Sequence, residues 1–321
     1  MALPNVLLTN PIHPAEQARL SRVAAVTVAP DVSPQTLRDV VANCDAMIVR
    51  SHLPHDIFEY APRLRYVVRH GVGLDMVPMQ AATDQGIAVA NLPGANTQAV
   101  VEYVLSAMFN LRRNLIGMDQ VLREEGWTAA KPMSNGSVEI GGSVLGIVGY
   151  GSIGQRLAQI TAAMGMQVLV STRRPETVSP PVVAVDFDAL LSESDFIVLA
   201  CPHNEQTHHL IDQDALSRVK RGALLINVAR GPVVDTEALI SALSHGSLAG
   251  AALDVHEPAI LTGKEAIFSC PTVQLTPHIA GITATSLEKM SRWAVDTTLA
   301  LLRGERPNNV VNSEVFARYM T

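Results

Sequence analysis

The chain has 321 residues, 48% of them hydrophobic but only 4% aromatic, and a formal net charge of −6. That length favours two domains over one, and a core of Val, Leu, Ile and Ala suits the buried strands of parallel sheets. The acidic balance excludes the basic footprint of a nucleic-acid binder and disfavours docking on an anionic membrane. The cysteines Cys44, Cys201 and Cys270 form no CxxC or Cys/His cluster, so neither a metal site nor a disulfide framework is expected. The opening MALPNVLLTN lacks a basic segment followed by an apolar one. No uncharged apolar run approaches the roughly 18 residues of a membrane span, so a cytoplasmic protein without a membrane partner is expected.

In chain order, NVLLT, AAVTVA, AMIVRS, LRYVVRHG and GIAVANLP read as strands, with AEQARLSRV and PQTLRDVVANC as helices between them. This alternation predicts βαβ units and a parallel sheet, complete before residue 95. Helical spacing of Val100, Val101, Val104, Leu105, Met108, Leu111 and Leu115 predicts one long helix from about Thr97 to Glu125, started by Asn96 or Thr97 and stopped by Gly126. A turn-rich stretch, AAKPMSNGSVEIGG, leads to a second series. There VLGIVGYG, QVLVS, FIVLA, GALLINVA, AGAALDV and VQLTPHIA are strands; QRLAQITAAM, DFDALLSES, DQDALSRVK and TEALISALSHG are the helices between them. A last helix spans roughly Thr285 to Leu302 and ends before Gly304 and Pro307.

The expected fold is α/β with two Rossmann-like domains. One is a doubly wound parallel-sheet nucleotide domain over residues 97–288. The other is a smaller flavodoxin-like substrate domain, discontinuous, over 1–96 plus 289–321.

The glycine turn Gly149-Tyr150-Gly151-Ser152-Ile153-Gly154 follows a strand and opens a helix. Gly149 permits the tight turn, Gly151 lets backbone approach a pyrophosphate, and Gly154 allows close helix–strand packing. The helix start at Ser152 and Ile153 supplies free N–H groups and a positive dipole end. An acidic residue about 20 positions on binds the adenosine ribose hydroxyl of NAD. Here Thr172 stands 18 positions after Gly154, followed by Arg173 and Arg174. A hydroxyl and two guanidiniums suit a 2′-phosphate, so NADP(H) is the expected cofactor and NAD(H) the lesser one. A solvated arginine pair at a strand end is the competing reading.

Three polar residues stand where later apolar runs stop: Arg230 in NVARGPVVD, Glu257 in LDVHEP and His278 in LTPHIAG. The guanidinium suits an anion, the imidazole suits proton transfer near neutral pH, and the carboxylate suits tuning it. Arg230 paired simply with Asp235 or Asp254 is the structural alternative.

With these motifs placed, the chain resembles the D-isomer-specific 2-hydroxyacid dehydrogenases, of the glyoxylate/hydroxypyruvate reductase-like NADP type, over essentially its whole length. The resemblance is carried by RHGVGLD (69–75), NLPGANTQAVVEY (91–103), GYGSIG (149–154), PHNEQTHHLI (202–211), INVARGPVVD (226–235), AALDVHEP (251–258) and TPHIAG (276–281). It implies a catalytic set of Arg230, Glu257 and His278, with Arg230 orienting a 2-oxo acid, His278 moving the proton and Glu257 paired with His278. It further implies cofactor contacts at Pro202, Thr207, Val228, Ala229, Asp254, Ala280 and Gly281. Substrate contacts are implied at Arg50, Ser51, Val72 and Gly73, besides Arg230 and His278, and a homodimer is implied.

The segment Asp254-Val255-His256-Glu257-Pro258 is two residues shorter than the family's usual form, which makes Glu265 the alternative carboxylate. His256 is read as packing, and Arg112-Arg113 and His208-His209 as solvated faces. The activity implied is reduction of a small 2-oxo acid to a D-2-hydroxy acid. Two alternatives stay open: a dehydrogenase of a phosphorylated or sulfonated hydroxy acid, and a non-catalytic dinucleotide-sensing protein similar to the C-terminal-binding corepressors.

Overall fold

The computed structural model describes residues 3–320. In chain order the first elements are β1 (Asn5–Leu8), α1 (Pro14–Ser21), β2 (Ala25–Val28), α2 (Pro34–Val41), β3 (Ala46–Val49), β4 (Tyr66–Arg69), α3 (Met79–Asp84) and β5 (Ala88–Ala90). Next come α4 (Thr97–Arg113), α5 (Leu115–Glu125), α6 (Trp127–Ala130), β6 (Val144–Val148), α7 (Ser152–Ala163), β7 (Gln167–Ser171) and β8 (Val183–Ala184). The chain continues through α8 (Phe187–Glu193), β9 (Phe196–Leu199), α9 (Gln213–Arg218), β10 (Ala223–Asn227), α10 (Thr236–Ser244), β11 (Leu248–Leu253), β12 (Val273–Leu275) and α11 (Ala284–Leu302).

Two compact units form, Met1–Asn96 with Ile282–Thr321, and Thr97–Gly281. The second crossing of the chain falls at 281/282, ahead of the 288/289 expected, because α11 belongs wholly to the first unit.

In the first unit the parallel sheet has the order β2-β1-β3-β4-β5. Side chains alternate across its two faces, as a period of two dictates. Val6, Leu8, Ile48 and Val68 pack with Met290, Ala294, Val295 and Leu301 of α11. Leu7, Met47, Val49 and Val67 pack with Leu37, Val41, Ile57 and Phe58.

The second unit has the seven-stranded order β12-β11-β10-β9-β6-β7-β8, all parallel. Phe196, Val198, Leu224, Ile226 and Ala252 face Val101, Val104, Met108 and Leu157. Ile197, Leu199, Leu225, Ala251 and Leu253 face Leu190, Ala215, Leu216 and Leu239. The strand order reverses beside β6, the first strand of this unit, which is where doubly wound sheets bind ligands beyond their carboxyl ends.

The single helix expected over 97–125 is two. Asn114 adopts a left-handed conformation at φ 46, a state Asn tolerates better than most residues, and α4 stops before it. Apolar periodicity runs through this break, so the pattern concealed it. Arg112 is not simply solvated either, since its guanidinium lies over the Phe196 ring at 4.9 Å. The two-residue β8 was not expected, being too short and too exposed to leave an apolar signature. All three cysteines are free. Burial pushes the Cys44 thiol up to about 11 and raises that of Cys201, so neither is disposed to be a thiolate.

His70, just past β4, is buried, and its Nε2 meets Ser291 Oγ of α11 at 2.8 Å. The His13 N–H donates to the same hydroxyl at 3.0 Å, so one serine joins three distant segments of this unit. Burial, reinforced by the charge of Arg50, pushes the His70 imidazole down to about 3. The unfolded chain, with this histidine near 6.5, takes up a proton that the folded state refuses until about pH 3. Its contribution to stability is therefore intact above pH 6.5 and is lost as pH falls through 6.5 toward 3, at up to about 1.4 kcal/mol per pH unit. Denaturant unfolding between pH 7 and pH 4.5 should show this acid loss in the wild type and a shallower one in His70→Gln. Equal slopes would remove His70 as its source.

Candidate active site

The glycine turn after β6 has the form a dinucleotide requires. Gly149 has φ +99, and a Cβ there would lie 2.8 Å from the Ala200 carbonyl oxygen. A Cβ on Gly154 would lie 2.2 Å from the Gly149 carbonyl oxygen, so α7 starts as close to the turn as backbone allows. A Cβ on Gly151 would meet nothing within 4 Å, and this open side is where backbone faces a ligand. Gln155 N bonds Gly151 O at 2.9 Å. Among the described residues, the N–H groups of Ser152, Ile153 and Gly154 before it have no acceptor, which leaves donors and a positive dipole end for an anion.

Thr172 follows β7 directly, with Arg173 and Arg174 exposed beside it. The Arg174 N–H donates to Thr172 Oγ1 at 3.3 Å, which orders the strand end that carries both guanidiniums.

The C-terminal ends of β10, β11 and β12, neighbours in the sheet, carry Arg230, Glu257 and His278. Two buried polar side chains build the loops that hold them. Asn227, the last residue of β10, accepts from Ala229 N at 3.0 Å and donates to Arg230 O at 2.9 Å, closing the turn that presents Arg230. Asp254 follows β11 and is 1% exposed. Its Oδ1 accepts from Thr276 Oγ1 at 2.7 Å and Ile279 N at 2.8 Å, and its Oδ2 accepts from Ala280 N at 2.8 Å. The His278 N–H donates to the Asp254 carbonyl at 2.8 Å. His278 is thereby held at φ 58, a left-handed conformation few non-glycine residues adopt, with its side chain exposed. Tyr103 of α4 adds a 2.7 Å bond to Thr276 Oγ1.

Arg230 is half-buried, with Nη1 on Ala229 O at 2.7 Å. Asp235, one of its alternative partners, instead caps α10 through Glu237 N and Ala238 N, each at 3.0 Å. The other, Asp254, holds the His278 loop. Gly231 fits where nothing larger can, since a Cβ there would lie 1.9 Å from the His256 carbonyl oxygen and 2.8 Å from Glu257 N. The Arg230 turn is thus pressed directly on the segment bearing Glu257.

A model of the D-isomer specific 2-hydroxyacid dehydrogenase NAD binding domain matches residues 105–280. The chain is 33% identical over 321 residues to a glyoxylate reductase of Korarchaeum cryptofilum, covering 97% of each chain. It is 35% identical over 326 residues to one of Thermococcus onnurineus, again covering 97% of each. An NADPH-dependent glyoxylate/hydroxypyruvate reductase from Sinorhizobium meliloti, solved with NADP and malonate, superposes with a TM-score of 0.87 at 28% identity, over 97% of this chain and 98% of that one. This chain is a D-isomer specific 2-hydroxyacid dehydrogenase. As a member of that family it is an NAD(P)-dependent oxidoreductase that binds a nicotinamide dinucleotide.

Several residues of this dehydrogenase stand otherwise than expected. Glu257 Oε2 meets His209 Nε2 at 3.0 Å, a partner the sequence reading did not name. His209 lies in the 202–211 segment, a neighbour that spacing along the chain does not reveal. His256 does more than pack, because its Nε2 bonds Thr276 O at 2.8 Å. Glu265 is engaged elsewhere: it accepts from the N–H groups of Thr262, Gly263 and Lys264 and from the Thr262 hydroxyl. Those bonds, the Thr262 N–H first among them, hold its carboxyl down at about 2, so it serves its own turn. Thr207 likewise organises its loop, donating to Pro202 O at 2.7 Å and accepting from Asn204 N at 2.9 Å. Val228 N donates to Leu199 O at 3.3 Å, and Ala229 and Ala280 are buried. Gly281 is half-buried. Asn227 and Tyr103 were missed. Only Asn227, a polar residue ending the apolar run ALLIN, left a signal in the sequence.

In the first unit, the loop after β4 turns its carbonyls inward. Gly71 O accepts from Leu92 N at 2.9 Å, Val72 O from Asn91 Nδ2 at 2.7 Å, and Gly73 O from Arg69 Nε at 3.1 Å; Arg69 Nη1 also bonds His70 O. Among the described residues the N–H groups of Val72 and Gly73 have no acceptor, which is the form of an anion nest. Arg50 Nη1 bonds Pro11 O, and Ser51 Oγ bonds Asn10 Oδ1 at 2.7 Å.

Asp254 gives the test of this construction. Asp254→Asn replaces one acceptor by an amide that faces backbone donors, and leaving a buried donor unsatisfied costs about 1–3 kcal/mol. Urea unfolding should show a loss of that size. A midpoint equal to the wild type would sever the His278 loop from this carboxylate.

Proposed function

We propose that this dehydrogenase reduces a small 2-oxo acid of the glyoxylate or hydroxypyruvate type to the D-2-hydroxy acid with NADPH, and uses NADH less well. The observation that carries this reading is the delivery of Arg230, Glu257 and His278 from the ends of three neighbouring parallel strands. The substrate class follows from kinship with the two glyoxylate reductases and the glyoxylate/hydroxypyruvate reductase.

The pyrophosphate of the cofactor is assigned to the turn Gly149, Gly151 and Gly154 with the N–H groups of Ser152 and Ile153. Its 2′-phosphate is assigned to Thr172, Arg173 and Arg174, a hydroxyl and two guanidiniums directly after β7. Pro202 and Thr207 are assigned to the cofactor, and Val228, Ala229, Ala280 and Gly281 to its nicotinamide end, with Asp254 acting there through the loop it holds.

When bound, the nicotinamide supplies the hydride in the reducing direction. Arg230 binds the substrate carboxylate and polarises the adjacent carbonyl, whose oxygen gains charge in the transition state. His278 gives that oxygen a proton in reduction and takes it back in oxidation. Glu257 favours the protonated imidazole. Val72 and Gly73, by their amide groups, and Arg50 and Ser51, by their side chains, are assigned to anionic and distal parts of the acid.

A panel of 2-oxo acids assayed with both cofactors tests the whole reading. Glyoxylate and hydroxypyruvate should turn over with kcat/KM at least about tenfold higher for NADPH than NADH, the equivalent of one charge-assisted hydrogen bond. A strong NADH preference would withdraw the 2′-phosphate assignment. His278→Ala should lower kcat by roughly 10²–10⁴-fold, the range of general acid catalysis, while NADPH binding persists. An unchanged kcat would end the proton-transfer role.

A homodimer completes the proposal. The helix α5 buries none of its residues, and Leu115, Ile116, Leu122 and Trp127 are exposed, Trp127 at 71%. Apolar patches of this kind mark association surfaces. Light scattering should give twice the chain mass, and Ile116→Glu should restore the monomer; a wild-type monomer would refute it.

A further inference from the structure

We propose that His209 is a positioning residue for Glu257, a role that rests on the part given to Glu257 above. A carboxylate only accepts, so in the 3.0 Å contact His209 Nε2 is the donor and Glu257 Oε2 the acceptor. Both partners are anchored. The His209 N–H donates to Pro232 O at 2.8 Å, and Ile211 N to Val233 O at 3.0 Å, which binds this segment to the turn that follows Arg230. Those bonds hold His209 at φ 48, in the left-handed region.

Its ring stacks on His208 at 4.1 Å with 17° between planes, and His208 Nδ1 meets His203 Nε2 at 3.3 Å. On the other side, Thr236 Oγ1 bonds Glu257 O at 3.5 Å, and the close approach of Gly231 fixes the backbone at Glu257 N.

A glutamate 40% exposed is otherwise free to change rotamer. His209 holds one oxygen and so sets the plane of the carboxylate. Oε1 meets no donor among the described residues and stays available to a proton-bearing group. An exposed His–Glu pair contributes little to stability, so its value lies in orientation, and its loss is read in turnover.

Two amides of different reach separate orientation from structure. Asn tolerates the left-handed backbone but is too short to reach Glu257, whereas the Gln amide nitrogen extends to where the ring Nε2 lies. His209→Asn should lower kcat roughly tenfold, since small displacements of a reacting constellation cost 10–100-fold. NADPH affinity by fluorescence titration should stay unchanged, and His209→Gln should recover most of the rate. The double variant His209→Asn/Glu257→Gln should be no slower than Glu257→Gln alone, because the two residues act as one unit. A slow Glu257→Gln beside a wild-type His209→Asn, or additive losses in the double variant, overturns the positioning role alone. A wild-type kcat in Glu257→Gln overturns the assignment of Glu257 and this inference with it.

Discussion

The site depends on one buried carboxylate. Asp254 is almost wholly removed from water, a position that is costly unless every oxygen is hydrogen-bonded. Its partners all come from the 276–280 segment, so satisfying the charge and folding that segment are one event. The backbone extends the linkage, with Asp254 N on Asn227 O and His278 N on Asp254 O. Three neighbouring strand ends are thereby registered against one another before any ligand arrives, which is what preorganisation of a polar site requires. The left-handed His278 is the local consequence, because the loop geometry over-determines a conformation that the residue would not choose by itself.

Backbone proximity does the rest of the shaping, and it works in two opposite ways. At Gly231 the turn is pressed so close to His256 and Glu257 that any side chain would force the two segments apart. At Gly154 the helix is pressed onto Gly149 in the same manner. At Gly151 the neighbouring space is open, and the glycine keeps it so. Close packing at Gly149 and Gly154 and vacancy at Gly151 are the structural meaning of the motif's spacing.

Much of this architecture was legible because parallel strands are buried on both faces and leave uninterrupted aliphatic runs such as VLGIV and ALLIN. Polar residues ending those runs pointed to Arg230, Glu257 and His278. What stayed hidden has physical reasons. The break at Asn114 lies within a continuous helical apolar pattern, so only a backbone angle records it. The partner of Glu257 lies 48 residues earlier in the chain, in a contact set by the left-handed turn at His209 and its bond to Pro232. His208 and His209 look alike as a pair of polar residues, yet their stacked rings make different outward contacts: one meets His203, the other Glu257. His256 replaces an expected packing side chain with a hydrogen bond to Thr276 O, and that difference depends on a carbonyl whose direction no sequence states.

The short stretch Asp254–Glu257 after β11 gives these particulars a common setting. With only Val255 and His256 between Asp254 and Glu257, the carboxylate cannot stand far from the knot that Asp254 ties. A longer connection would let the chain rise away from the sheet edge and carry its own loop structure. The Asp254–Glu257 stretch takes its restraints from other loops: Gly231 beneath its backbone, Thr276 O for His256, and His209 for Glu257. Each restraint comes from a different strand-end loop. A short stretch is thus held by its neighbours, and its exposed carboxylate takes its orientation from His209, a residue of another strand-end loop.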